Sequence, residues 1–251
     1  MRAILPVMGA TGFIVFSEVS LRRPTEFSIW SLATMAWILL IFAGQAFGRL
    51  SRRQLHVATP AVAMIAVSSV ASLLFIDLVS PRRGFILLFA AVLYLLLEHV
   101  RHEAETSSAE EQLWISEFAR MVNIGSLFLL ASTSLGVTIF LPIPFWIVLA
   151  PFTAVALLWS WHLYAACAAH CGRPLPRILL TTLVLVEAFL VALRLPTTMF
   201  VGGAIVATVY YLAAHLLTVG ETSSISPKLV RRYLIAGIAM VLVVVFSARW
   251  K

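Results

Sequence analysis

Three short stretches hold the residues whose types and spacing could do chemistry. In "VEAFLVALRLPTTMFVGG", residues 186–203, Glu187 interrupts an apolar run that closes on Arg194 and Pro196. In "EHVRHE", residues 98–103, Glu98 and His102 stand four apart, as do His99 and Glu103. That one-turn spacing puts imidazole and carboxylate on one helix face, a donor set that suits zinc or iron. In "CAAHCGRPLPR", residues 167–177, Cys167 and Cys171 share a helical face with His170 beside them.

Each metal reading meets a plain objection. "EHVRHE" has neither the H-E-x-x-H order of zinc proteases nor the Glu-x-x-His of diiron bundles, and solvated ion pairs at a helix end explain it as it stands. The cysteine cluster offers three soft ligands where a closed zinc site needs four, and the chain has no other cysteine. Gly172, Pro174 and Pro176 end that helix, so its small residues are read as packing. No metal or cofactor is expected.

The elements that position these residues follow from composition. Of 251 residues 61% are apolar and 12% charged, with a mean hydropathy of +1.00. A soluble chain needs far more charge to cover its outside, whereas lipid accepts an apolar exterior. The expected fold is an all-α, polytopic transmembrane bundle forming one domain over 1–251. Apolar blocks near the ~20 residues of a membrane span predict nine helices, at 3–18, 28–48, 57–79, 84–100, 109–141, 144–170, 176–195, 198–219 and 229–248; eight is the alternative. The first block, with Pro6, is kept as a membrane helix, because "MGATGFIVFSEVS" offers no small-x-small cleavage site.

Loop arginines and lysines orient the bundle. Eleven, from Arg2 through Arg49, Arg52, Arg53, Arg101, Arg120, Arg173, Arg177, Lys228, Arg231 and Arg232, fall on the side of the N-terminus, and seven on the other. The N-terminus is therefore expected in the cytoplasm. The net charge of +7 is scattered at helix ends rather than massed on one face. It points to lipid headgroups and not to nucleic acid.

Residues 101–116 form the expected cytoplasmic polar connection. Ser108 followed by Glu111 fits a capping box, so the fifth helix should begin near residue 109, with Trp114 at the interface. Gly44 and Gly48 in "GQAFG", and Gly202 with Gly203, are small residues that let helices approach. Pro151 should kink the sixth helix.

Within this frame Glu187 lies in the membrane on the seventh helix. A bare carboxylate is costly there, so it should face protein rather than lipid, in the neutral, hydrogen-bond-donating form that low dielectric favours. Arg194, seven residues on, shares its face but stands about 10 Å away along the axis. The turn "LRLPTT" makes the eighth helix antiparallel to the seventh and offers Thr208, Tyr210 or Tyr211 as donors, with His215 nearer the cytoplasm and His162 on the sixth helix. Two roles stay open: a proton-linked or ligand-contacting acid, and a hydrogen bond locking two helices.

An apolar helix with one glutamate, then Leu195 and Pro196, then "VGG" and the pair Tyr210–Tyr211, resembles a family of uncharacterised bacterial polytopic integral membrane proteins known from candidate-phyla genomes. The likeness covers the last two-thirds of the chain, including the junction "LYLLLEHVRHEAE". It implies a bacterial cytoplasmic membrane and a helical membrane fold, and it supplies no catalytic residues.

Specific absences remove several classes. The two lysines, Lys228 and Lys251, lie at helix ends, so a retinal Schiff base has no partner. P-loop, H-E-x-x-H and G-x-S-x-G motifs are missing. Three readings remain. The first is a noncatalytic membrane subunit or scaffold with a protein partner or a second copy. The second is a transporter or binding protein for a small apolar or amphiphilic molecule, using Glu187. The third is a lipid-modifying enzyme using Glu98, His99, His102 and Glu117.

Overall fold

A computed structural model describes residues 4–46, 52–75, 79–105, 109–165 and 174–222, together with positions 231, 235, 237 and 242. All regular structure among them is helical: α1 Leu5–Arg22, α2 Phe27–Ala46, α3 Arg52–Ser72, α4 Val79–Glu105, α5 Ala109–Phe140, α6 Phe145–Ala165, α7 Pro174–Arg194 and α8 Met199–Thr222. Four of these contain stretches long and apolar enough to cross a membrane: Phe27–Ala46, Pro81–His102, Met121–Phe140 and Leu175–Arg194. The described part of the chain is all-helical, and its apolar spans mark a membrane protein. The stretch expected as a ninth helix, 229–248, lies almost wholly outside the described residues.

Local chemistry sets the helix ends. Pro6 sits in the first turn of α1 and Pro174 opens α7, positions where the missing N–H costs no hydrogen bond. Thr198 caps α8: its hydroxyl oxygen accepts the Val201 N–H at 3.4 Å and its carbonyl accepts the Gly202 N–H at 3.1 Å. The polar connection of 101–116 is itself largely helical, since α4 runs on to Glu105 and α5 begins at Ala109. Ser108, its expected cap, lies outside the described residues.

Two compact units divide the chain at residue 126. In the first, α1 packs on α2 and α4, and α3 packs on both of them. Phe13, Ile38, Ile41, Val62, Leu93 and Leu97 form its apolar core. Close approach depends on two glycines of α1. A Cβ on Gly9 would come 2.6 Å from Leu97 Cδ1, and one on Gly12 would overlap the Trp37 ring. That ring also donates its indole N–H to the Met8 carbonyl at 3.2 Å.

In the second unit, α7 packs on α6 and α8. Phe152 stacks on Phe189 at 4.3 Å between centroids, and Trp159 meets Tyr210 edge-on at 6.0 Å. Gly202 and Gly203 seat α8: a Cβ on Gly202 would come within 2.5 Å of Leu135, and one on Gly203 would lie 2.8 Å from the Phe128 carbonyl and overlap the Ser132 hydroxyl. Gly44 differs, for no atom lies within 4 Å of a Cβ built there. Its small-residue face is open among the described residues, and Gly48 lies outside them.

Two expected outcomes follow. Gly203→Ala lowers the unfolding midpoint in detergent, at a cost of about 1–3 kcal/mol, because backbone atoms block the new methyl; Gly44→Ala leaves the midpoint unchanged or slightly higher. Equal effects would contradict the close approach.

The second concerns the turn Pro24–Glu26, where the Trp30 indole donates to Glu26 Oε2 at 2.9 Å and Arg23 reaches the same oxygen at 3.4 Å. The indole bond, with Arg23 adding to it against some desolvation, holds the Glu26 carboxyl below its ordinary value. A depressed carboxyl stabilises above its unfolded pKa and loses that contribution as pH falls through the folded one. The Trp30 indole proton should therefore keep its bonded NMR shift through about pH 4.3, the ordinary glutamate value, and change only below it. A transition at or above that pH would show the clamp to be absent.

Candidate functional site

The inward side of α7 is taken by Ile178, Leu185, Phe189 and Ala192, all buried. Leu185 and Phe189 each stand two residues from Glu187, which is about 200° around a helix. Glu187 therefore points outward and is exposed. The neighbouring helices of this chain do not supply the expected partner: aromatic stacking on Phe152 claims the inner face of α7, and the acid falls on the opposite one.

That outer face is a stripe. Leu179, Leu180, Leu183 and Val191, each more than half exposed, surround Glu187, and Arg194 closes the stripe at the end of the span. Among the described residues no group bonds to Glu187. A lone carboxyl about 10 Å inside the end of an apolar helix can serve as hydrogen-bond acceptor or, protonated, as donor, and either form needs a partner.

The donors expected from α8 are engaged elsewhere. Thr208 gives its hydroxyl proton to the Ala204 carbonyl of its own helix at 2.8 Å. Tyr210 is buried against Trp159. Tyr211 is half-buried and makes an interaction of its own. The side chains of His215 and His162 lie outside the described residues. Of the expected cluster, the structure brings Gly202 and Gly203 into close contact with neighbouring helices and leaves Glu187 apart from Thr208.

At the end of α4 the residues of "EHVRHE" turn to local partners. Glu98 takes a two-pronged ion pair from Arg101, one prong at 3.1 Å, and the His99 ring bonds the Leu95 carbonyl at 2.8 Å through Nδ1. Among the described residues no three His, Cys, Asp or Glu side chains gather as a metal site. The side chains of Glu103 and Glu117, and the cluster Cys167, His170 and Cys171, lie outside the described residues.

Sequence reasoning passed over Gly9 and Gly12. Their spacing of three, the neighbouring row on a helix surface, was the available signal. No family model, curated protein or solved structure matches the chain.

If Glu187 and Thr208 act on opposite sides of the fold, Glu187→Gln and Thr208→Val should be additive. A double-mutant cycle in reversible SDS unfolding should give a coupling below about 0.5 kcal/mol. A larger coupling would put the two side chains in contact and refute the outward orientation.

Proposed function

We propose that this protein is a noncatalytic subunit or scaffold of a membrane assembly, and that the outward stripe of α7 is where a helix of its partner docks. One observation carries the reading: Glu187 is exposed amid leucines inside an apolar span, with no bonding group among the described residues. An ionised side chain at the centre of a membrane helix costs about 2.5–3.5 kcal/mol. A neighbouring helix bearing a polar group offsets that cost and gains an interhelical hydrogen bond. Leu179, Leu180, Leu183 and Val191 supply the apolar contact on either side.

The same proposal includes nine spans with 229–248 as the ninth, a cytoplasmic N-terminus supported by the eleven-to-seven distribution of basic residues, and a place in the bacterial cytoplasmic membrane. Membership in the bacterial family that the α7–α8 region resembles belongs to it as well.

Native mass spectrometry of gently extracted protein tests it. The wild type should retain a second membrane protein or a second copy. Glu187→Gln keeps that association, since an amide still donates and accepts, whereas Glu187→Leu weakens it about tenfold, the size of one hydrogen bond in a dry setting. A bare monomer, or a leucine variant that holds its partner fully, would remove the reading. Proton-linked uptake of an amphiphile into proteoliposomes, lost in Glu187→Gln, would favour transport instead.

A further inference from the structure

A second feature lies far from Glu187 in the chain and does not depend on its role. Where α1 turns into α2 and α3 turns into α4, a cavity of about 450 Å³ is lined by Ser20, Thr25, Ser28 and Arg82 with Leu21 and Leu73. Its size falls within the ~300–1,000 Å³ of small-molecule sites. The apolar spans of α2 and α4 begin at Phe27 and Pro81, so the cavity sits where these helices meet the membrane boundary.

The surrounding charge is positive. Arg22, Arg23, Arg82 and Arg83 gather at this end, against Glu18 and Glu26 among the described residues. Glu18 is shared by Arg22 at 3.7 Å and Arg83 at 3.5 Å, and Glu26 pairs with Arg23 at 3.4 Å. The two acids are thus committed to the three arginines outside the cavity wall. Arg82, in the wall, has an interaction of its own, and the five N–H donors of a guanidinium can serve further acceptors.

Ser20 gives the second sign of a ligand. It is 2% exposed, and its hydroxyl has no hydrogen-bond partner among the described residues. Ser17 and Ser31 of this unit are likewise buried without a partner among the described residues, but of the three it is Ser20 that lines the cavity; Ser68, Ser69 and Ser72 donate to carbonyls one turn back. A buried hydroxyl left unbonded is destabilising, and a ligand oxygen in the cavity would satisfy it. Thr25 and Ser28 are exposed at the mouth, while Leu21 and Leu73 give the wall an apolar part.

We propose that this cavity binds a phosphate-bearing amphiphile, with Arg82 and the hydroxyls of Ser20, Thr25 and Ser28 holding the phosphate and the leucines contacting the apolar stem. Arginine with clustered hydroxyls is phosphate-recognition chemistry, and the boundary position matches a phospholipid headgroup.

The test uses the full chain in mild detergent, titrated with phosphatidylglycerol and separately with inorganic phosphate, read by native mass spectrometry and thermal shift. Arg82→Gln should weaken phosphatidylglycerol binding about tenfold, while Arg23→Gln, on an exposed neighbour paired with Glu26, leaves it unchanged. Ser20→Ala should weaken binding a few-fold while the ligand-free unfolding midpoint stays level or rises, a combination that a structural hydroxyl would not give. It also decides the matter if Arg82→Gln fails to fold. Binding of inorganic phosphate with the same ranking of variants supports the site and assigns it to a soluble anion; a response to the lipid alone assigns it to a headgroup. Equal weakening by Arg23→Gln and Arg82→Gln, or binding indifferent to Ser20 and Arg82, would overturn the proposal.

Discussion

A chain in hydrocarbon has to bond its own polar groups, because no water is there to do so. Here the helices meet that demand mostly within themselves. Thr34, Ser68, Ser132, Ser160, Thr182 and Thr208 each donate to a carbonyl of the preceding turn, at 2.6–2.9 Å. A hydroxyl closed onto its own helix presents little but its carbon atoms to a neighbour. That local closure lets helices rich in serine and threonine pack as if apolar, and it makes the exceptions informative. Ser20 and Glu187 are among the polar groups left open, as are the buried Ser17, Ser31, Gln45 and Thr133; Ser20 lies at a helix end beside the cavity and Glu187 on an outer face.

The local closure also explains why backbones rather than polar pairs set the helix contacts. Gly9 and Gly12 admit Leu97 and Trp37, and Gly202 and Gly203 admit Leu135, Ser132 and the Phe128 carbonyl. At such points the cost of a methyl group depends on what it meets. A leucine end can swing aside; a carbonyl cannot.

Helix positions were legible in the sequence because a membrane span is a length, and apolar runs measure length directly. The entry to α8 was legible through Pro196 and the threonines beside it. Orientation was not legible. α7 turns apolar side chains both toward the core, at Leu185 and Phe189, and outward, at Leu179, Leu180 and Leu183, so hydrophobicity alone does not say which face meets protein. Glu187 was placed inward by its cost alone, and the stacking of Phe189 on Phe152 decided otherwise. Gly44 and Gly48 had the familiar spacing of four, yet Gly44 is open; spacing says that helices can approach there and leaves unsaid whether a neighbour is present.

The bare groove at Gly9 and Gly12 bears on how the protein is made. α1 is synthesised before α4, yet one side of that groove is filled by Leu97 of α4. At ~5–20 residues per second, the interval between the end of α1 and the emergence of α4 is on the order of several seconds. Through that interval α1 carries an unfilled cleft beside the newly inserted α2, and whatever lipid or insertion factor occupies it must leave before the first unit can close.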